Sequence, residues 1–293
     1  MRGIQALALR IGKASSNRKR TGRAFGMILS IWALCMRMMT RIDLNRLSSA
    51  ERLLWSYGIV EPAQIDLDAL AFDQGALVRY RKLDGCEARL LAHGAGAIIS
   101  VNAQSREGRQ RFSLAHELAH WICDRERGSF LCAKEDIGPQ NAEAKSVEAN
   151  ANAYASQLIL PDYLVLPRIE RKPVSLDTAE TIRKEFNASL TAAAIKLVKK
   201  AATPCCAICH SQSKREWFVT NASFPSGLYV AKEMHADSDG FVLLYGANGG
   251  MTRAKKEPAS RWLNGSGVFT TSVLAQSVKL PDQTVFSVIA IVG

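Results

Sequence analysis

The spacing of apolar positions changes several times along the chain, and each change predicts an element. Leu53, Leu54 and Tyr57, with Ser48 or Ser49 ahead of them, predict a capped helix over Leu47–Tyr57 that Gly58 ends. Leu67–Asp73 predicts a second, shorter helix. Ala76–Tyr80 reads as a strand, Gly85 as a turn, and Glu87–Leu91 as a segment pairing back. Ala97–Asn102 (AIISVN) follows the Gly94-Ala95-Gly96 loop and predicts another strand. Helical spacing then returns. Ala115, Leu118, Ala119 and Ile122 form one face, with Ser113 as the expected N-cap and Gly128 as the stop. Lys134–Lys145 is polar and reads as a loop. Ala151, Tyr154, Ala155 and Leu158 give a further helical stripe within Ser146–Pro161, and Pro161, Pro167 and Pro173 then interrupt the pattern.

Leu176–Lys200 predicts two helices around Asn187-Ala188-Ser189, in the form of a helix-turn-helix. From Pro204 the texture is strand-like (CCAICHS, REWFVTN, GFVLLYG, TVFSVIAIV), punctuated by Asn, Gly and Pro. The pattern predicts an α+β chain with a mainly α+β domain over 41–170, a helical segment over 171–201 and a C-terminal α+β domain over 202–293. A basic extension over 1–40 stays outside the fold.

Composition narrows the function classes. Of 293 residues, 47% are hydrophobic and 22% charged, as in ordinary globular proteins. A formal charge of +11 invites a nucleic-acid reading, but residues 1–40 hold eight Lys/Arg and no acid, which leaves 30 basic against 27 acidic residues elsewhere. The charge of the remainder does not argue for DNA binding. Phe25–Met36 is an apolar run of twelve, too short to cross a membrane. It reads as the core of a signal peptide, as part of a transit peptide, or as a stretch upstream of a start at Met38 or Met39; the last, or a disordered extension, is preferred. Seven cysteines form no disulfide framework, which points to free thiols in the cytoplasm.

The chemistry concentrates in Arg109–Cys123. It contains His116-Glu117-Leu118-Ala119-His120, an H-E-x-x-H pentad. On a helix, residues four apart share a face, so both imidazoles can grip one Zn2+ while Glu117 serves as general base toward a water. A third protein ligand is needed. Glu148 is a candidate, with Asn152 one turn on to steady its surroundings. Taken alone, Glu148 reads equally well as a carboxylate that favours a helix start.

RFSLAHELAH followed by E-x-x-A-N-x-Y-A-x-x-L-I-L-P resembles the ImmA/IrrE family of zinc metallopeptidases. Tyr154 stands where that pattern usually has Phe, and Ile159-Leu160 where it has Leu-Met. The resemblance implies His116, His120 and Glu148 as zinc ligands, Glu117 as the catalytic base, and Asn152 as the family's Asn. It implies a zincin-like, gluzincin-type peptidase domain, an HTH-like helical segment and a GAF-like C-terminal domain. It further implies a protein substrate, a helix-turn-helix transcriptional repressor, with cleavage switching on stress, mobile-element or toxin–antitoxin genes. In such enzymes the strand beside the active-site helix is the edge that takes up substrate, so Ala97–Asn102 is expected to do so. Two alternatives stay open: a zinc-stabilised regulator that sequesters a repressor without cutting it, and a DNA reader using Lys196, Lys199 and Lys200, although most helix pairs of this form only pack. Cys206-Ala207-Ile208-Cys209-His210 matches the C-x-x-C-H haem motif, but alternating buried positions on a strand explain its cysteines more simply.

Overall fold

A computed structural model describes residues 42–124, 146–246 and 249–292. Helix α1 (Ser49–Ser56) starts in a capping box: the Ser48 hydroxyl accepts from the Glu51 N–H, and the Glu51 carboxylate accepts from the Ser48 N–H at 2.8 Å. Tyr57, expected on the apolar face, lies outside the helix and is exposed; its hydroxyl bonds Asp73, so its polar tip decides its position. Helix α2 (Leu67–Asp73) has the predicted bounds, because Asp66 Oδ1 accepts from the Ala69 N–H at 3.0 Å and fixes its start.

Strands β1 (Ala76–Arg81), β2 (Ala88–His93) and β3 (Gly96–Asn102) form a sheet of order β1-β3-β2. This corrects two expectations. Segment β2 pairs with β3, not back onto β1, and β3 is the central strand, so it cannot accept a substrate strand. The tight turn at Gly94 (φ 57°) forms an antiparallel β2–β3 hairpin, and β1 takes the remaining side of β3 in parallel. Residues 99–101 of β3 are buried without a break, as suits a strand flanked on both sides. Among the described residues the free edges belong to β1 and β2.

Helix α3 (Glu107–Asp124) lies against this sheet and packs along α4 (Ser146–Ile159). Its start also differs from expectation. Ser113 is a fully buried interior residue, and the helix begins a turn and a half earlier. Gln110 Nε2 bonds the carbonyls of Ser105 and Ala103, and Glu107 places an acid in the first turn. The expected stop at Gly128 and the loop Lys134–Lys145 fall outside the described residues. Helix α5 (Asp162–Ile169) follows Pro161 directly and contains Pro167. Pro167 does not end the helix at once; the turn runs to Ile169, where Arg168 Nη1 bonds the Leu164 carbonyl at 2.8 Å.

Helices α6 (Leu176–Phe186) and α7 (Leu190–Lys200) meet at Asn187, held left-handed at φ 49°, and Ser189 caps α7. A five-stranded antiparallel sheet follows, built from β4 (Cys205–His210), β5 (Arg215–Thr220), β7 (Lys255–Pro258), β9 (Ser272–Lys279) and β10 (Val285–Val292) in the order β5-β4-β10-β9-β7. One face, with Cys205, Ala207, Cys209, Phe286 and Val288, shares a core with Leu197 and Val198 of α7 and extends to the first sheet. Gln276 of β9 accepts from the Leu176 and Asp177 N–H groups, which ties this sheet to the start of α6. The other face is covered by a pair of short strands, β6 (Leu228–Val230) and β8 (Leu263–Gly265), with Trp262 and Val268. The segment GFVLLYG, expected as a strand, contributes instead to a short helix, α8 (Asp239–Tyr245), which Ser238 caps through the Phe241 N–H. Among the described residues no helix is long and apolar enough to cross a membrane.

Candidate metal centre

Two helices build the site. Helix α3 buries Ala115, Leu118 and Ala119 and brings His116 and His120 one turn apart; both imidazoles and Glu117 are wholly buried. Helix α4 buries Ala151, Tyr154, Ala155 and Leu158 against the same core, which turns Glu148 toward the histidines. His120 Nε2 lies 3.1 Å from His116 Nε2. Glu148 Oε2 is 3.3 Å from His116 Nε2, and Oε1 is 3.5 Å from His120 Nε2.

Those three separations test whether a metal fits. Ligand atoms about 2.0–2.1 Å from a tetrahedral zinc ion lie about 3.3–3.4 Å from one another. The observed triangle has that size, and its atoms form a group able to hold a metal. The donor set, two imidazoles and one carboxylate, leaves a fourth position for water or substrate, as catalytic zinc sites do. The Glu148 side chain is 21% exposed whereas both imidazoles are at 0%, so of the three residues Glu148 lies nearest to solvent. Asn152 sits one turn beyond Glu148 and is half-buried.

Several supports of this helix had no signal in the pentad. The Phe112 ring stacks near His116, with centroids 6.5 Å apart. Trp121 Nε1 bonds the Gln74 carbonyl at 2.7 Å, and Arg111 Nη2 bonds the Ile65 carbonyl at 2.8 Å, so α3 is pinned to the α2 region at both ends. A Cβ on Gly108 would lie 3.2 Å from the Ser189 backbone nitrogen, and Asn187 bonds Glu107. The start of α3 therefore rests closely on the α6–α7 turn; a glycine inside a helix was the legible hint.

The helix-turn-helix segment ties two of its lysines to an acid of α5. Lys196 is 5% exposed and bonds Asp162 Oδ1 at 2.9 Å, while Lys200 bonds Oδ2 at 2.6 Å. Of the three lysines named for a DNA-reading role, Lys199 alone does not join this pair with Asp162. The C-x-x-C-H stretch is strand β4. Cys209 faces the helix-side core and Cys206 the opposite one, so the two thiols cannot meet at one metal or haem. Burial pushes Cys209 up to about 11, and Cys206 higher still, so both stay as thiols.

The family model described as the IrrE N-terminal-like domain, of the M78 peptidases, matches residues 71–198. A solved structure titled a Mycobacterium tuberculosis transcriptional regulator is similar over 83% of this chain and 75% of its own, with a TM-score of 0.54 and 12% identity, which speaks to the fold alone. A search of curated protein sequences gives no match. The matched segment spans the sheet, the two helices that carry His116, His120 and Glu148, and the helix-turn-helix, and over it this chain is similar to the ImmA/IrrE family.

Proposed function

We propose that this chain is a zinc-dependent endopeptidase that makes one or a few cuts in a protein substrate, a helix-turn-helix repressor, in the cytoplasm. The observation that carries the reading is the triangle of His116, His120 and Glu148 donor atoms, sized for zinc. Zinc held there would supply a Lewis acid to polarise a peptide carbonyl and acidify a water. Glu117, adjacent to His116 on α3, takes the proton of the attacking water and passes it to the leaving amine. The match of residues 71–198 to a peptidase family model supports this, and a similar solved fold is titled a transcriptional regulator.

Substrate uptake moves from β3 to β2, the strand that α3 underlies and that has a free edge among the described residues. The Asn102 N–H bonds the Glu87 carbonyl, so in the antiparallel ladder odd-numbered β2 residues face β3. Ala88, Leu90 and Ala92 then present N–H and C=O outward, ready to pair with an extended peptide. The C-terminal part, with its order β5-β4-β10-β9-β7 and helices on one face, supports the GAF-like, regulatory reading. The competing reading is a zinc-stabilised regulator that binds a repressor without cutting it.

Glu117→Gln separates the two. It keeps shape and the ligand set but cannot take a proton, so zinc content should stay while cleavage falls by a factor of about a hundred or more. Undiminished cleavage by Glu117→Gln would remove the general-base role; zinc-loaded parent chain that binds the repressor and never cuts it would favour the competing reading.

A further inference from the structure

A cavity of about 430 Å³ lies in the C-terminal part, far along the chain from the metal ligands. It forms where the cover layer fails to close on the sheet. Strand β5 is an edge strand of the five-stranded sheet, and β6 hydrogen-bonds to β8 rather than to β5. Phe218 and Thr220 pair with Ile208 and Cys206, so they point to the covered face and line the cavity from the sheet side. Leu228, Tyr229 and Val230 line it from β6, and Phe224 stands in the connecting loop.

Among the described residues the charged groups lining it are both positive, Arg215 and Lys232, and no acid lines it. Arg215 is set in place before anything binds. Its Nη1 donates to the carbonyls of Val230 at 2.6 Å and Ala231 at 3.1 Å, and its guanidinium lies 4.4 Å from the centre of the Phe218 ring. That leaves the Nε and Nη2 donors of the fork for a ligand. Lys232 is exposed at the rim. Phe218 and Tyr229 are 37% and 65% exposed, so aromatic surface stands open beside the cations. Asn221 is not available: it accepts from the Cys205 N–H and donates to the Ala201 and Thr203 carbonyls.

We infer that this cavity binds a small, flat organic anion, a one- or two-ring aromatic body carrying a carboxylate or phosphate. The volume falls in the range of small-molecule sites, about 300–1,000 Å³. The anionic head meets Arg215 and Lys232, and the ring packs against Phe218, Phe224 and Tyr229. Two cations without an acid disfavour a cationic ligand, and aromatic walls disfavour a bare inorganic ion. A role for this ligand as a signal rests on the regulatory reading above; the site itself does not.

The test is calorimetry on the full-length chain with four probes: 1-naphthoate, phenyl phosphate, inorganic phosphate and 1-naphthalenemethanol. The two aromatic anions should bind saturably, one per chain, and at least about tenfold tighter than inorganic phosphate or the neutral alcohol. Their ratio tells carboxylate from phosphate recognition. Lys232→Gln, at an exposed side chain, should weaken the anions several-fold and leave the alcohol unchanged. Thr220→Trp should fill the cavity and abolish binding at an unchanged melting temperature. Equal binding of the alcohol and the anions, no binding of either anion, or full binding by Thr220→Trp would overturn the site. Binding that leaves repressor cleavage unchanged keeps the site and removes its sensory role.

Discussion

Asp162→Asn should be among the costliest single changes on the polar surface of the helices, and it tests whether the helix-turn-helix lysines are free for DNA. Asp162 is the first residue of α5 and holds Lys196 at 2.9 Å, Lys200 at 2.6 Å and Gln157 at 3.1 Å. Removing one partner of a buried pair costs about 3–5 kcal/mol, because the other charge is stranded. Lys196 is 5% exposed, but the Asp162 and Lys200 side chains keep 19% and 35%, so the lower end, about 3 kcal/mol, applies. That is a melting-temperature loss of about 6–12 °C for a chain of this size. The double variant Asp162→Asn/Lys196→Met removes the stranded charge and should recover most of the loss. The pH dependence gives an independent reading. Burial pushes the Asp162 carboxyl up, but the Lys196 charge and the bonds from Lys200, Lys196 and Gln157 outweigh it and hold it below its ordinary value. A depressed carboxylate contributes stability that is present above its unfolded value, about 3.9, and lost as pH falls through the folded one. Burial lowers Lys196 despite Asp162 beside it, so the unfolded chain binds its proton more tightly and stability rises with pH toward about 10.4. Without Asp162 that rise should start lower and be larger. Thermal melts of the parent, single and double variants at pH 7 and 9.5 read both effects. A loss under about 1 kcal/mol, or no rescue by Lys196→Met, would refute the internal assignment of these lysines.

Three further outcomes bear on the site. The parent chain should carry about one zinc, and His116→Ala, His120→Ala and Glu148→Ala should each lose it by elemental analysis; full occupancy in Glu148→Ala would mean that the third ligand lies elsewhere. Ala92→Pro removes an outward N–H from the free edge of β2, where proline is tolerated, so the fold should survive while the KM for an extended peptide rises several-fold; an unchanged KM would move substrate off this edge. Incubated with a helix-turn-helix repressor as the proposed substrate and with casein, the chain should make one or very few cuts in the first and hardly any in the second by mass spectrometry; efficient digestion of casein at many sites would indicate a general peptidase.

The grouping of His116, His120 and Glu148 was readable before the fold because its parts are local. H-E-x-x-H needs one helix, and Glu148 with Asn152 needs another, and each carried its own apolar stripe and spacing. Leu67–Asp73 was readable for the same reason: Asp66 is a cap written beside the helix it starts. What depended on distant partners was not readable. The interior place of β3 is decided by β1 taking its far side in parallel, which nothing within AIISVN encodes. Ser113 looks like a cap, but the contact of Glu107 and Gly108 with the α6–α7 turn draws the helix back past it. GFVLLYG has strand-like residues, yet Ser238 in front of it closes a helical turn, and local capping wins over a short apolar run.

The place of β10 has a consequence for biosynthesis. It is the middle strand of the five, hydrogen-bonded to β4 on one side and β9 on the other. Val285 pairs with His210, so a ribosome must make everything from Ser211 to Thr284 before the sheet can close. Until then β4, whose every residue is buried in the finished protein, is an uncovered ribbon of Cys, Ala and Ile beside helix α7. The helices that carry His116, His120 and Glu148 emerge long before and can meet, while the nascent chain behind them passes through a sticky stage. A nonsense codon shortly before residue 285 would therefore not trim an edge; it would remove the keystone and leave β4 and β9 without the strand that joins them, a product for chaperones and proteases rather than a shortened protein.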